Sequence, residues 1–138
     1  MIRIVWEFCS RGLTTLVLTR GYRGEWEKEG GLVRPRSALV DPRLAGDEPV
    51  LIQERVFDAW IGVGSDRLAS YATARAAMGR DPEVVVLDDG FQQFRIARDL
   101  DVIAVISHEF GESWFCDRAE EVRGLMFWVW ENSKFSGQ

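Results

Sequence analysis

The chain has 138 residues, 46% of them hydrophobic and 28% charged, with a formal net charge of −5. That length suits one ordinary domain, and that composition excludes wholesale disorder. The acidic balance argues against general nucleic-acid binding, yet the charge is uneven: residues 1–46 carry eight Lys/Arg against five Asp/Glu, and the remainder nine against seventeen. A basic first third could face an anion such as a phosphate or could be an uneven surface, and charge alone leaves both open.

Cys9 and Cys116 stand apart with no CxxC spacing, and His108 is the only histidine, so these residues cannot assemble a zinc site. Free thiols in a reducing cytoplasm are a simpler expectation than a single disulfide. Glu7 and Arg11 interrupt the apolar N-terminal stretch and spoil it as a signal peptide. No apolar run approaches the roughly 18 residues that a membrane span requires. Internal repeats and low-complexity tracts are absent.

Residues 2–10 are apolar at Ile2, Val5, Trp6 and Cys9, a helical spacing that Gly12 would stop. TTLVLT (14–19) is β-branched and apolar on both faces, as a buried parallel strand would be. Residues 20–46 are rich in Gly, Arg and Pro and read as one long loop. Glu48 and Pro49 open a short helix, with Pro at its first position. DAWIGVG (58–64) is a strand, and SDRLASYATARAAMG (65–79) a helix with Ser65 as N-cap and Gly79 closing it. EVVVLD (83–88) and DVIAVI (101–106) are two further strands, the first continuously apolar as fits a central position. Alternating strands and helices imply the α/β class: a mostly parallel sheet with crossover helices.

In such sheets ligands gather beyond the C-terminal ends of the strands. RGYRG, GSDR and LDDG each follow a strand directly, and GDEP ends the long loop from the same edge, so the clusters should converge there. Each also has a plainer explanation. LDDG could be a tight turn, or Asp88 and Asp89 could hold Mg²⁺ or its coordinated water as Walker-B acids do. In GDEP, Asp47 could cap a helix or act as a general base toward a substrate hydroxyl. Arg67 lies in a first helical turn, where the dipole disfavours a cation, so it is either neutralised by Asp66 or aimed at a phosphate. Arg20 and Arg23 offer planar forks suited to phosphate, or form a solvated basic turn. Arg98 and Asp99 should pair structurally or fix the start of the last strand.

Taken in order, TRGYRG, GDEP, GSDR, LDDGFQQ and RDLDVI resemble the lipid A disaccharide 4′-kinase (tetraacyldisaccharide 4′-kinase) family, whose pattern runs SRGYGG, GDEP, a DR at a helix start, DDGFQH and RDL. The resemblance covers roughly residues 2–106 and implies a P-loop-type α/β kinase using ATP and Mg²⁺ at the cytoplasmic face of the bacterial inner membrane. Its substrate would be the lipid A precursor disaccharide, phosphorylated on its 4′-hydroxyl. By motif, Asp47 would be the base or orienting acid with Glu48 beside it, and Asp88 and Asp89 would position Mg²⁺ with Gln92 close by. Arg67 would contact phosphate or stabilise charge in transfer, while Arg20 and Tyr22 would line the substrate or nucleotide side.

The family's glycine-rich loop ending in Gly-Lys-Thr does not occur in these residues, and Gln93 stands where the family has His. The expectation is therefore a partial kinase-like α/β domain over residues 1–106, a tail over 107–138 outside the family pattern, and an inactive fragment overall. LMFWVW (125–130) reads as a buried strand or a sticky terminus. An exposed sheet edge would favour self-association. The alternative is a non-catalytic α/β binding or interaction module, with Asp88 and Asp89 forming a turn and Asp47 a cap.

Overall fold

The computed structural model describes residues 1–90, 93, 95–106 and 125–131. It divides into two compact units, residues 1–90 and 91–138.

The first unit begins with α1 (Ile2–Ser10), which sets Val5 into the interior. Strand β1 (Thr15–Thr19) is buried at every position. Three short pieces follow: α2 (Trp26–Glu29), β2 (Gly31–Val33) and α3 (Pro42–Ala45). The stretch expected to be one loop therefore carries regular structure. Its elements are three or four residues long, too short for periodicity to reveal. Helix α4 (Asp47–Arg55) begins two residues before Pro49, its expected first position, with Gly46 as N-cap and Pro49 in its first turn. Strand β3 (Trp60–Val63), helix α5 (Arg67–Met78) and strand β4 (Val84–Leu87) complete the unit. Asp66, not Ser65, caps α5: its carboxylate accepts from the Leu68 and Ala69 amides at 3.0 and 3.1 Å. Gly79 closes α5 in the left-handed conformation, as expected.

The strand order is β2-β3-β1-β4. β1 lies parallel to both β3 and β4, and β2 runs antiparallel to β3. The fold is thus α/β with a mostly parallel sheet. Among the described residues β1, not β4, is central: β4 pairs there with β1 alone, and Val85 is 41% exposed. A run of valines reads the same at a centre and at an edge, because periodicity reports burial of faces and not the number of neighbours.

Side chains alternate across β1, which explains its continuous apolarity. Val17 packs with Val5, Ile52, Val56 and Ile61 on the face covered by α1 and α4. Leu16 and Leu18 pack with Ala74, Tyr71 and Met78 of α5 on the other. Helices on both faces leave no solvated side for the strand to make polar.

In the second unit, β5 (Leu100–Ile106) pairs antiparallel with β6 (Leu125–Glu131). The expected strand at 101–106 is present, but its partner is β6 in a two-stranded sheet and not a parallel neighbour. LMFWVW forms most of that partner. Arg98 pairs with Asp101 at 2.9 Å. No helix among the described residues is long and apolar enough to cross a membrane.

Candidate active site

Because β1, β3 and β4 are parallel, their C-terminal ends lie on one side, and each delivers a residue of the site there. Thr19 ends β1. Gly64 follows β3 and donates its amide to the Thr19 carbonyl at 3.0 Å. Asp88 follows β4 and donates its amide to the Leu18 carbonyl at 3.0 Å. The fourth contributor is Glu48, in the first turn of α4.

Two glycine-bearing loops bring α4 to this edge by backbone-to-backbone packing. A Cβ on Gly21 would lie 2.5 Å from the Ala45 carbonyl oxygen, and one on Gly24 would lie 2.5 Å from both the Gly46 nitrogen and the Leu44 oxygen. Gly46 itself has φ +87, and a Cβ there would meet the Tyr22 oxygen at 2.9 Å. The glycines of RGYRG and AGDEP are thus explained by their fit to each other.

The acids meet around one hydroxyl. Thr19 Oγ1 lies 3.0 Å from Glu48 Oε2 and 3.4 Å from Asp88 Oδ2. The Glu48 carboxyl is pushed up to about 7, first by desolvation, then by its contact with and charge repulsion from Asp88. The Thr19 hydroxyl opposes the rise and Asp89 adds to it. Glu48 as a residue remains exposed, so the crowding concerns its carboxyl end. Asp89 is exposed in the left-handed conformation, φ +48, which an aspartate tolerates better than most residues.

Arg67 is 4% exposed. Its guanidinium donates to the Gly64 carbonyl and, at 3.4 Å, to the Asp88 carbonyl; its Nε has no hydrogen-bond partner among the described residues. Burial pulls its pKa down, while Asp88, Glu48 and Asp89 oppose that. It therefore sits beneath the acid turn, fastened to backbone, with Asp66 serving as helix cap instead of as its counter-ion.

Asp47 is exposed at the first position of α4, and its side chain makes no hydrogen bond among the described residues. Arg20 is turned aside: its Nε lies 2.7 Å from Glu27 Oε1. Tyr22 is 63% exposed, with the Arg23 guanidinium 5.2 Å from its ring centroid. Gln92 lies outside the described residues. The structure thus brings Glu48, Arg67 and Asp88 into direct connection, places Asp89 and Asp47 as free acids on adjoining positions, and commits Arg20 to an ion pair.

Sequence reasoning missed two members. Thr19 was read only as part of a strand, although a hydroxyl at the C-terminal end of a buried apolar run was a legible signal. Glu27 lies in the supposed loop; it accepts from Arg20 Nε and from the Arg23 amide at 3.1 Å, and these bonds hold its pKa down. No local spacing pointed to it.

Among the described residues, no group of three or more His, Cys, Asp or Glu is placed to hold a metal by itself. The donors are hard oxygens, and their like charge is uncompensated enough to keep Glu48 partly protonated near neutrality. That fits Mg²⁺, which takes one or two carboxylates and completes its shell with water and phosphate oxygens.

Comparison with known proteins identifies relatives of the chain. The sequence model of LpxK, tetraacyldisaccharide-1-P 4′-kinase, matches residues 1–116. The chain is 40% identical over 94 residues to tetraacyldisaccharide 4′-kinase of Colwellia psychrerythraea, covering 68% of this chain and 25% of that protein. It is 32% identical over 108 residues to the enzyme of the same name from Pelobacter propionicus, covering 76% of this chain and 29% of that one. In structure it is similar to LpxK from Aquifex aeolicus in complex with ATP, with a TM-score of 0.57 and 27% identity over 70% of this chain and 30% of the other. The chain thus spans between a quarter and a third of the length of these relatives.

Proposed function

This chain belongs to the tetraacyldisaccharide-1-P 4′-kinase family, and from that premise we propose that it supplies the acidic side of a kinase site. The reaction would be transfer of the ATP γ-phosphoryl group to the 4′-hydroxyl of the tetraacyl disaccharide 1-phosphate of lipid A synthesis. The observation that carries this reading is the meeting of Glu48 and Asp88 around Thr19 at the C-terminal ends of parallel strands, with the charge of Asp89 felt by Glu48.

In this reading Asp47 accepts the proton of the attacking hydroxyl as its oxygen bonds to phosphorus and the bond to ADP breaks. Its exposure and its lack of a cap bond leave it available for that role. Asp88 and Asp89 would hold Mg²⁺, which when bound neutralises charge on the phosphate oxygens. Glu48 stands between the base and those acids. Arg67 acts by holding the Asp88 carbonyl and by adding positive potential beneath the turn. Arg20 and Tyr22 would line the substrate or nucleotide side, with Gln92 near the acids. The work would take place at the cytoplasmic face of the inner membrane, where the lipid substrate lies.

Calorimetry tests the reading. ATP should bind only with Mg²⁺ present, and Asp88→Asn should abolish the heat. Binding that ignores both Mg²⁺ and Asp88→Asn would exclude the assignment.

A further inference from the structure

Thr19 is fully buried, at 0% exposure, in a strand whose neighbouring positions are Leu16, Val17 and Leu18. A valine would occupy the same volume and suit the strand equally well, without bringing a hydroxyl that must find a partner. The partners this hydroxyl finds are carboxylates from two other elements, Glu48 of α4 at 3.0 Å and Asp88 after β4 at 3.4 Å.

A hydroxyl has one proton to donate. On these distances it goes to Glu48, with Asp88 at the margin of hydrogen-bond reach. The backbone around it is fixed on both sides: the Thr19 carbonyl accepts from Gly64, and the adjacent Leu18 carbonyl accepts from Asp88. The hydroxyl is therefore a fixed post between two acids from separate elements, whose like charges oppose their close approach.

We propose that Thr19 is a positioning residue of the phosphoryl-transfer site, its hydroxyl holding Glu48 against Asp88 in the arrangement that a divalent cation requires. It touches neither substrate nor cation and acts through the two carboxylates. The inference rests on the kinase reading above, of which cation binding by Asp88 is one part.

The test uses the Mn²⁺–ATP complex as probe, since the acids would share the cation with phosphate oxygens, with the protein-bound complex separated from the free one by equilibrium dialysis against the whole chain. Wild type should bind the complex and Asp88→Asn should not. Thr19→Ser, which keeps the hydroxyl, should stay within about twofold of wild type, whereas Thr19→Val should lose roughly 10–100-fold in affinity, the usual effect of removing a group that orients a metal ligand. The thermal midpoint of Thr19→Val should be no lower than that of Thr19→Ser, which separates positioning from loss of structure. If Thr19→Val does not fold, Thr19→Ala should show the same loss. Wild-type affinity in Thr19→Val or Thr19→Ala, with binding still lost in Asp88→Asn, overturns the role of Thr19 and leaves the kinase reading intact. Absence of binding in wild type, or equal binding in Asp88→Asn, overturns both.

Discussion

Replacing Gly24 by alanine isolates the packing that brings the GDEP helix to the sheet edge. Gly24 does not have a positive φ, so an alanine there incurs no left-handed backbone strain. The cost is steric. The new Cβ would lie 2.5 Å from the Gly46 nitrogen, 2.5 Å from the Leu44 oxygen and 2.6 Å from the Ala45 carbon, all backbone atoms. Carbon contacts are comfortable near 3.5–4.0 Å, so the two loops would have to part by about 1 Å. They are also joined by the Glu25 amide donating to the Arg43 carbonyl at 3.1 Å. Overpacking typically costs about 1–3 kcal/mol, and the upper end applies where no side chain can swing aside. Gly79→Ala is the control: φ is +69 there, nothing lies within 4 Å of the new Cβ, and the cost is about 1 kcal/mol of left-handed strain. For a unit of this size each kcal/mol is worth roughly 4–8 °C, so Gly24→Ala should lower the thermal midpoint by about 12 °C or more and Gly79→Ala by about 4–8 °C. Circular dichroism melts measure both. A Gly24→Ala midpoint no lower than that of Gly79→Ala would refute the claim that the two loops are locked backbone to backbone.

Glu48 makes stability depend on pH. Its carboxyl is raised from 4.5 to about 7 in the folded chain, so its contribution is fully present below 4.5 and is lost as pH rises through about 7. Urea midpoints should therefore fall between pH 5 and pH 8, and Asp88→Asn should flatten that slope; an unchanged slope in the variant would contradict the coupling. Arg67→Met should destabilise the chain by about 2–3 kcal/mol, because the Gly64 and Asp88 carbonyls lose their buried donor. Hydrogen exchange should quicken at the ends of β3 and β4, and unchanged protection there would show that the guanidinium fastens nothing. Among the described residues β4 pairs along one side only and Val85 is exposed, so that edge should pair with another copy at high concentration. Sedimentation should show that association weaken in Val85→Lys, and a monomer at every concentration would exclude it.

The fold class was legible because buried parallel strands leave a strong signature, and TLVLT, WIGV and VVVL were all found. The converging edge was legible for the same reason: once the strands are parallel, whatever follows each one must share a side. Three features were not legible. The short elements between residues 20 and 46 are fixed by tertiary contacts, such as Gly31 packed beneath Trp26, which no local period encodes. The sheet order hides which apolar run is central, so β4 was misplaced. The partnership of Thr19 with Glu48 and Asp88 spans 29 and 69 residues of sequence, and a hydroxyl in a strand announces no partner until the strand is placed. Arg67 shows a different limit. Its poor fit to a helix N-terminus was visible, but only the structure shows that its donors are used on backbone carbonyls.

The measurement that bears most directly on the account is a titration of the isotopically labelled chain with ATP and Mg²⁺, followed by amide chemical shifts. If the acids of α4 and the turn after β4 form the metal side of a kinase site, the largest shifts will fall on Thr19, Glu48, Asp88 and Asp89, and will vanish when Mg²⁺ is withheld. Shifts confined to residues away from that edge, or unchanged without Mg²⁺, would contradict it.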